Sequence, residues 1–280
     1  MSSQRRGMSK RSKFVKPAHR EILRGQVLAS KRISTSFVRV TIGGADLNSF
    51  TPMGYDQWFR LFLPGKNGLR LPTTAGNLWF AQYMMMGKDS RPLVRNYTVR
   101  NFRSAGAGEF GDTAELDIDF LVHDDTSPAA LWAIGATPGD EIGILDEGIT
   151  YQATGSESRV LIVADDSGLP AVAGILRSAP SDLVADVVVE IEADDDRQEL
   201  GAPAGVTVTW VQRAPGATPG ARALEHVTSA PPAAGTGYAF LAGEQKLVAG
   251  ARRHLVQHGI AKSDITFTGY WREGKAAGEF

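Results

Sequence analysis

Cysteine is absent from the 280 residues of this chain, and its absence excludes several kinds of chemistry. Without thiols the protein has no disulfides, no thiolate zinc site, no cysteine-ligated iron–sulfur cluster and no cysteine nucleophile. Any redox reaction must therefore use a bound organic cofactor, or a metal held by nitrogen and oxygen ligands.

An excess of charge and long apolar runs are also lacking. The net charge is −1, so nothing global points to nucleic acid or to an anionic membrane. No apolar run approaches the ~20 residues of a membrane span, and the N-terminus lacks the apolar core of a signal peptide. We therefore expect a cytoplasmic monomer with no nucleic-acid partner and no integral membrane segment.

The basic residues are nevertheless unevenly placed along the chain. The first sixteen residues contain no acid and six bases, which are Arg5, Arg6, Lys10, Arg11, Lys13 and Lys16. A nucleic-acid or membrane-binding arm is one interpretation of this segment. Chain termini more often form a disordered, solubilising tail, which we predict over residues 1–18.

The first half of the chain is rich in predicted strands. They lie at 26–30, 37–42, 57–63, 93–100, 114–122 and 141–145. The strand at 114–122 alternates apolar and acidic residues, as a half-buried antiparallel strand does. Turn-forming glycines and prolines separate these segments, and a short helix at 127–135 begins with Ser127 and Pro128. Short strands of this kind predict a small closed β-barrel over residues 19–150.

The second half changes to continuous apolar strands alternating with helices. The strands lie at 159–164, 186–192, 206–211 and 237–242, and the helices at 170–178, 221–227 and 245–258. Continuous apolar runs suit a parallel sheet that is buried on both faces. The alternation predicts an α/β doubly wound domain over residues 155–280.

Two turns between a strand and a helix are candidate anion sites. In 163-VADDSGLPAVAGIL-176, Gly168 would let a ligand approach the backbone at the start of a helix. An ordinary turn capped by Ser167 is the alternative, and this stretch alone favours it. In 123-HDDTSPAALWA-133, the first helical turn could hold a phosphate or could simply cap the barrel.

The stretch 94-VRNYTVR-100 carries two arginines on a predicted strand. Arg95 and Arg100 are an odd number of positions apart, so a continuous strand places them on opposite faces. Asp194–Asp196, after the second strand of the α/β domain, could contact the ribose of a dinucleotide or form a solvated loop. These acids and the neighbouring Arg197 leave the choice between NADH and NADPH open. Met84-Met85-Met86 is interpreted as loop filler against apolar surface.

A β-barrel with an Arg-x-Tyr-Thr motif followed by a doubly wound domain resembles the ferredoxin-reductase-type flavoproteins. Within them, the chain resembles the siderophore-interacting proteins, which are FAD-dependent ferric-siderophore reductases. The segments that carry this resemblance cover nearly the whole chain after the basic tail: 55-YDQWFRLFLP-64, 92-PLVRNYTVR-100, 119-DFLVHDDTSPAALWA-133, 161-LIVADDSGLPAVAGIL-176, 241-LAGE-244 and 269-GYWREGK-275. The family usually has glycine where Asp124 and Ser127 stand, and often a hydroxyl where Ala130 stands.

The resemblance implies a role for particular residues. FAD would be bound by Arg95, Tyr97, Thr98, Val99, Arg100, His123, Ser127, Pro128, Ala129, Ala130, Asp165, Ser167 and Trp271. A nicotinamide would be bound by Gly168, Gly243, Glu244 and Tyr270, and an anionic ferric siderophore would be attracted by Arg272 and Lys275. No metal site and no catalytic side chain is predicted, because the flavin performs the chemistry.

The resemblance also implies the reaction. Electrons from NADH or NADPH would pass through FAD to Fe³⁺, and reduction to Fe²⁺ would release iron from the chelate. Two alternatives stay open, a general NAD(P)H:flavin or ferredoxin-type oxidoreductase and a non-enzymatic siderophore-binding module.

Overall fold

The computed structural model describes residues 14–74, 76, 78–122 and 127–274, which form two β-sheets with helices. The first sheet is antiparallel, and its strands are β1 (Ile22–Arg32), β2 (Phe37–Gly43), β3 (Trp58–Leu63), β4 (Leu93–Thr98), β5 (Asn101–Arg103), β6 (Glu115–Leu121) and β7 (Glu141–Gly148). Two helices belong to this half of the chain, α1 (Trp79–Met85) between β3 and β4, and α2 (Pro128–Gly135) between β6 and β7.

The strand order of the first sheet is β4-β3-β7-β1-β2-β6-β5. The sheet is curled around an apolar core, but β4 and β5 do not pair with each other, so the barrel predicted to close is open along this side. The strand predicted over 93–100 ends at Thr98. There the chain leaves β3 and crosses to β6, where the Arg100 N–H donates to the Asp117 carbonyl at 2.9 Å.

Strand β6 differs from its prediction because both of its faces are buried. Glu115, Asp117 and Asp119 were expected to face water, yet each is at most 5% exposed. Arginines from neighbouring strands cover them: Arg103 binds Glu115 and Asp117, and Arg39 binds Asp119 through two hydrogen bonds of 2.7 and 2.8 Å. The alternating pattern therefore marks an apolar face and a buried ion-pair face.

The second sheet is parallel, in the order β10-β9-β8-β11-β12. Its elements are β8 (Arg159–Ala164), α3 (Leu169–Ser178), β9 (Ala185–Ile191), β10 (Val206–Gln212), α4 (Ala221–Thr228), β11 (Thr236–Glu244), α5 (Gln245–Gln257) and β12 (Ile265–Trp271). The three central strands are almost wholly buried, as predicted from their apolar runs, whereas the edge strand β10 is half-buried. The predicted combination of a curled antiparallel sheet and a doubly wound α/β sheet is confirmed.

The two sheets contact each other closely through α3. The carbonyl oxygen of Tyr55 lies where a Cβ added to Gly174 would be only 2.0 Å away. The Tyr55 N–H also donates to the Ser178 hydroxyl at 2.8 Å. A glycine in α3 therefore lets the backbone of the first sheet lie directly on the helix.

A second junction between the sheets involves Asp195 and Asp196, from the segment that the sequence placed in a solvated loop or at a ribose. Asp196 is buried and accepts hydrogen bonds from the Ser34 hydroxyl and from the amide and hydroxyl of Ser36. Asp195 accepts from the amide and hydroxyl of Thr35. These two carboxylates hold the β1–β2 turn against the second sheet. The solvated-loop interpretation is therefore wrong for the buried Asp196, whose oxygens are already engaged, whereas Asp194 and Asp195 are exposed.

The chain enters the fold earlier than the predicted tail implied. Residues 1–13 lie outside the described residues, but Val15 pairs with Ile149 through both backbone groups, and the Lys16 ammonium binds Glu147. No helix among the described residues is long and apolar enough to cross a membrane.

Candidate functional site

A cavity of about 440 Å³ lies between the two sheets. The first sheet and its connections contribute Phe37, Asp56, Trp58, Val94, Arg95, Asn96, Tyr97, Thr98, Asp119, Leu121, Ser127, Ala129 and Thr150. The second sheet contributes Ser167, Pro170, Thr268, Gly269, Tyr270 and Trp271, and Phe14 closes one side. The cavity thus lies where the end of β4 faces the β8–α3 turn and the end of β12.

Arg95 supplies a positive charge to this cavity. Among the described residues its guanidinium has no carboxylate partner, its Nε has no hydrogen-bond partner, and its Nη1 donates only to the carbonyl of Val94 at 2.8 Å. Burial lowers the pKa of Arg95, and the nearby Tyr97 and Tyr83 oppose that change. A half-buried cation with free donors is arranged to bind an anionic ligand.

Arg100 has a different environment and does not line the cavity. Its guanidinium is buried and donates to the Gln198 Oε1 at 3.0 and 3.2 Å, with Asp119 3.2 Å away. Burial lowers its pKa to about 10, partly offset by the charge of Asp119, so it remains protonated at neutral pH. Arg100 lies between the first sheet and Gln198, and its direct contact with phosphate stays a prediction.

Aromatic side chains form much of the remaining wall. Tyr97 packs on Phe120 with ring centroids 4.4 Å apart, and burial raises the pKa of its phenol well above the usual value. Trp58 and Trp271 both line the cavity, and neither indole N–H has a hydrogen-bond partner among the described residues. Buried indole N–H groups usually find a partner, so these two donors indicate a polar ligand.

Helix α2 begins at the cavity. Ser127 occupies its N-cap, yet the serine hydroxyl makes no capping bond to the described helix. Ser127 and Ala129 line the cavity, whereas Pro128 and Ala130 form the first helical turn behind them. His123, predicted in the same segment, lies outside the described residues.

The turn after β8 places a buried carboxyl beside the cavity wall. Asp165 accepts hydrogen bonds from the Ser167 hydroxyl at 2.5 Å and from the Glu244 amide at 2.6 Å. Burial, and secondarily the charge of Asp166, raises the pKa of Asp165 to about 7. A hydroxyl that lines the cavity is therefore bonded to a carboxyl that changes protonation near neutral pH.

The predicted nicotinamide residues gather around this carboxyl. Gly243 has a φ of 129°, and a Cβ there would lie 2.6 Å from the Asp165 carboxyl carbon, so glycine is required on both grounds. Glu244 is buried and caps α5, and Gly168 lies buried in the turn after Asp165. These residues lie at the carboxyl ends of the adjacent strands β8 and β11, where the strand order reverses and ligands bind in doubly wound folds.

Eight predicted residues line the cavity, and the rest lie elsewhere. The lining residues are Arg95, Tyr97, Thr98, Ser127, Ala129, Ser167, Tyr270 and Trp271. Val99, Arg100, Pro128, Ala130, Asp165, Gly168, Gly243, Glu244 and Arg272 do not line it. His123 and Lys275 are outside the described residues. The functional roles of all these residues stay predictions.

Several lining residues were missed by sequence reasoning, and a signal existed for one of them. Asp56 is buried, accepts the amides of Thr150 and Tyr151, and has its pKa raised by burial. The sequence signal is that Pro52 and Gly54 precede it, since an acid beside a Pro/Gly turn often bonds to nearby amides. Trp58 and Phe14 carried no such signal.

A buried arginine at the end of β10 was also missed. Arg213 forms ion pairs with Asp166 at 3.0 Å, Glu190 at 3.3 Å and Glu192 at 3.0 Å. Arg213 and Glu192 line a second, more open cavity of about 590 Å³, together with Arg222. This cavity lies at the carboxyl edge of the second sheet.

The main cavity fits a flavin dinucleotide. It has apolar aromatic walls, and among the described residues Arg95 has no carboxylate partner and two indole donors have no acceptor, which together suit a flat polar ring joined to a pyrophosphate. Its volume accommodates the ring portion, and the start of α2 offers backbone donors beside it.

The curled antiparallel sheet and the parallel doubly wound sheet define a ferredoxin-reductase-like fold, which solved structures share. Residues 26–151 match the siderophore-interacting FAD-binding domain, and residues 157–274 match the siderophore-interacting protein domain. The chain belongs to the siderophore-interacting protein family. The predicted family and its cofactor, FAD, are confirmed by these matches.

Individual relatives agree with this assignment. The ferric vibriobactin reductase ViuB of Vibrio cholerae is 30% identical over 250 residues, covering 88% of this chain and 87% of that protein. The NADPH-dependent ferric-chelate reductase of Escherichia coli is 32% identical over 149 residues, covering 52% of each chain. A siderophore utilization protein from T. fusca has a crystal structure with a TM-score of 0.75 and 27% identity, covering 92% of this chain and 95% of that one.

Proposed function

We propose that this protein is an FAD-dependent reductase that uses NADH or NADPH to reduce ferric siderophores to the Fe²⁺ state. The observation that carries the proposal is the Arg95 guanidinium, which has no carboxylate partner in the described part of the chain and lines a cavity between the two matched domains. Family membership and the names of the relatives, which are ferric-chelate reductases, support the same activity.

The residues of the first sheet would bind and orient the cofactor. Arg95 would neutralise pyrophosphate charge, and Tyr97 and Thr98 would contact the flavin ring from β4. Trp271 would cover the ring from β12 and keep water away from it. Bound FAD can accept a hydride from a nicotinamide and release single electrons to ferric iron.

Asp165 and Ser167 would bind and release a proton at the cavity wall. The Ser167 hydroxyl lines the cavity and donates to Asp165 at 2.5 Å. Because the pKa of Asp165 is raised to about 7, this carboxyl can hold a proton at neutral pH and exchange it through the hydroxyl.

The electron donor would approach the carboxyl edge of the second sheet. Gly168, Gly243 and Tyr270 would contact the nicotinamide end. The second cavity would take the adenosine end, where Glu192 could accept from ribose hydroxyls and Arg222 could bind a phosphate. The charge of Arg213 is balanced by three carboxylates, whereas Arg222 is half exposed and pairs with the exposed Glu225, so Arg222 is the better candidate for a 2′-phosphate contact.

The substrate would be an anionic ferric chelate that meets the flavin near the end of β12. Arg272 follows Trp271 directly and would attract the chelate. Lys275, predicted for the same role, lies outside the described residues.

The test is anaerobic reduction of FAD-loaded protein with NADH and NADPH in parallel, followed by addition of ferric siderophores, free flavin or quinones. We expect one nicotinamide to bleach the flavin absorbance and ferric siderophores to restore it faster than the other acceptors. Preferential oxidation by free flavin or quinones would instead indicate a general flavin reductase. A protein that cannot be loaded with FAD would indicate a non-enzymatic siderophore-binding module.

A further inference from the structure

An apolar surface on α1 lies outside both the cavity and the contact between the two sheets. Leu78, Phe80, Met84 and Met85 are 67%, 39%, 51% and 82% exposed, which places four large apolar side chains on one short stretch of surface. The interpretation of the methionines as filler against apolar surface is therefore wrong for Met84 and Met85. We call these four residues the α1 patch.

The α1 patch belongs to a long uncharged segment bounded by basic residues. Residues 71–87 contain no Asp, Glu, Lys or Arg, and Arg70 and Lys88 stand at its two ends. Both flanking residues are exposed, and neither has an ion-pair partner in the described part of the chain. Exposed apolar anchors with cations at their margin are typical of segments that lie in the interface of an anionic membrane.

The anchors are presented on a rigid support. On its inner side α1 packs Trp79, which is buried against Phe62 with ring centroids 5.6 Å apart and an interplanar angle of 89°. The Arg91 guanidinium lies over the Tyr83 ring and donates to the carbonyls of Met84 and Met86, which fixes the end of the helix. The first sheet thus holds the inner face, while Leu78, Met84 and Met85 are more than half exposed on the outer face.

The N-terminal basic segment enters the fold beside this patch. Arg60 lies 5.0 Å from the Trp79 ring and binds Glu147, and Glu147 also binds Lys16. Ahead of Phe14 the sequence carries five further cations and no acid, which are Arg5, Arg6, Lys10, Arg11 and Lys13. Lys and Arg side chains are attracted to an anionic bilayer, so these cations would strengthen binding to such a surface.

We propose that the α1 patch docks this protein reversibly on anionic membrane surfaces, with Leu78, Phe80, Met84 and Met85 entering the lipid interface and Arg70 and Lys88 contacting lipid phosphates. Nucleic acid fits less well, because it offers nothing for the apolar anchors to enter.

The test is flotation of the full-length protein with vesicles of phosphatidylcholine alone or with about one-third phosphatidylglycerol. We expect binding to the anionic vesicles, and binding weaker by about tenfold or more on phosphatidylcholine or at high salt. Leu78→Gln with Met85→Gln should reduce binding by about tenfold or more, because two anchors are lost. Arg70→Glu with Lys88→Glu should reduce binding to the anionic vesicles only.

Val184→Gln is the matched control, because Val184 is an exposed apolar residue (37%) of the second sheet's half. It should bind vesicles as the wild type does. Met85→Gln alone is the fallback if the double variant fails to fold, since a side chain 82% exposed contributes little to the core. Wild-type protein that ignores anionic vesicles, or a patch variant that binds them unchanged, overturns the proposal. Loss of self-association in the variant, without vesicle binding by the wild type, would assign the patch to a second copy of the chain.

Discussion

Arg95 provides the sharpest test of how this protein holds FAD. Its guanidinium lines the cavity, has no carboxylate partner among the described residues and leaves Nε unpartnered. A charge-assisted hydrogen bond from such a group to an anion contributes roughly 1.5–3 kcal/mol. Arg95→Ala should therefore weaken FAD binding by roughly 10- to 150-fold.

The same substitution should leave the apoprotein intact. Removing a half-buried cation that has no carboxylate partner among the described residues relieves a desolvation cost, so the melting temperature of the apoprotein should stay level or rise. Arg95→Lys keeps the charge but loses the planar fork, and it should give an intermediate affinity.

Arg100→Ala is the matched comparison, because Arg100 is already engaged by Gln198 and Asp119. Its loss should lower the stability of the apoprotein by about 1–3 kcal/mol. The effect is limited because Arg39 still gives Asp119 two hydrogen bonds.

Fluorescence titration of apoprotein with FAD measures the affinities, and thermal denaturation measures the stabilities. Wild-type FAD affinity in Arg95→Ala, together with a large loss in Arg100→Ala that retains its melting temperature, would refute this reasoning. The pyrophosphate cation would then be Arg100.

Three further predictions concern the junctions of the site. The pKa of Asp165 is raised to about 7, whereas an unfolded Asp has a pKa of ~3.9. Between these two values the native state binds a proton that the unfolded state does not. The contribution of Asp165 to the free energy of unfolding therefore falls as the pH rises from ~4 to ~7. Asp165→Asn should flatten that fall in urea denaturation at several pH values, and an unchanged slope would contradict the assignment. Gly174→Ala should destabilise the protein by about 1–3 kcal/mol, because the added Cβ would meet the Tyr55 carbonyl. Gly87→Ala is the control and should not destabilise it, because a Cβ at Gly87 would have no atom within 4 Å. Equal melting temperatures of the two variants would argue against the close contact at Gly174. Asp196→Ala should lower the unfolding free energy by about 2–4 kcal/mol without changing the ratio of KM values for NADH and NADPH, and a changed ratio would return this residue to the ribose site.

The sequence predicted the elements well where one physical signal dominated. The apolar runs of β8, β9 and β11 located a buried parallel sheet, and the Ser-Pro pair at 127–128 located the start of α2. The motif around Arg95, Tyr97 and Thr98 located one wall of the cavity.

Prediction failed where partners distant in sequence decide the outcome. The acids of β6 look like a solvent face until Arg39 and Arg103 cover them from other strands. The end of β4 at Thr98 depends on where the chain finds its next pairing partner, which no local pattern encodes. Asp196 similarly resembles a loop acid, because its partners Ser34 and Ser36 lie about 160 residues earlier.

The hydrogen bonds from Asp195 and Asp196 to the β1–β2 turn have a consequence for folding. The donors of the turn belong to the first sheet, and the acceptors Asp195 and Asp196 belong to the second sheet's half of the chain. Unfolding of either half alone would therefore break these hydrogen bonds. The two halves should therefore melt in one cooperative transition, although each has its own apolar core. The buried amide of Ser36, bonded to Asp196, would then exchange with solvent only through global opening, although it belongs to a surface turn.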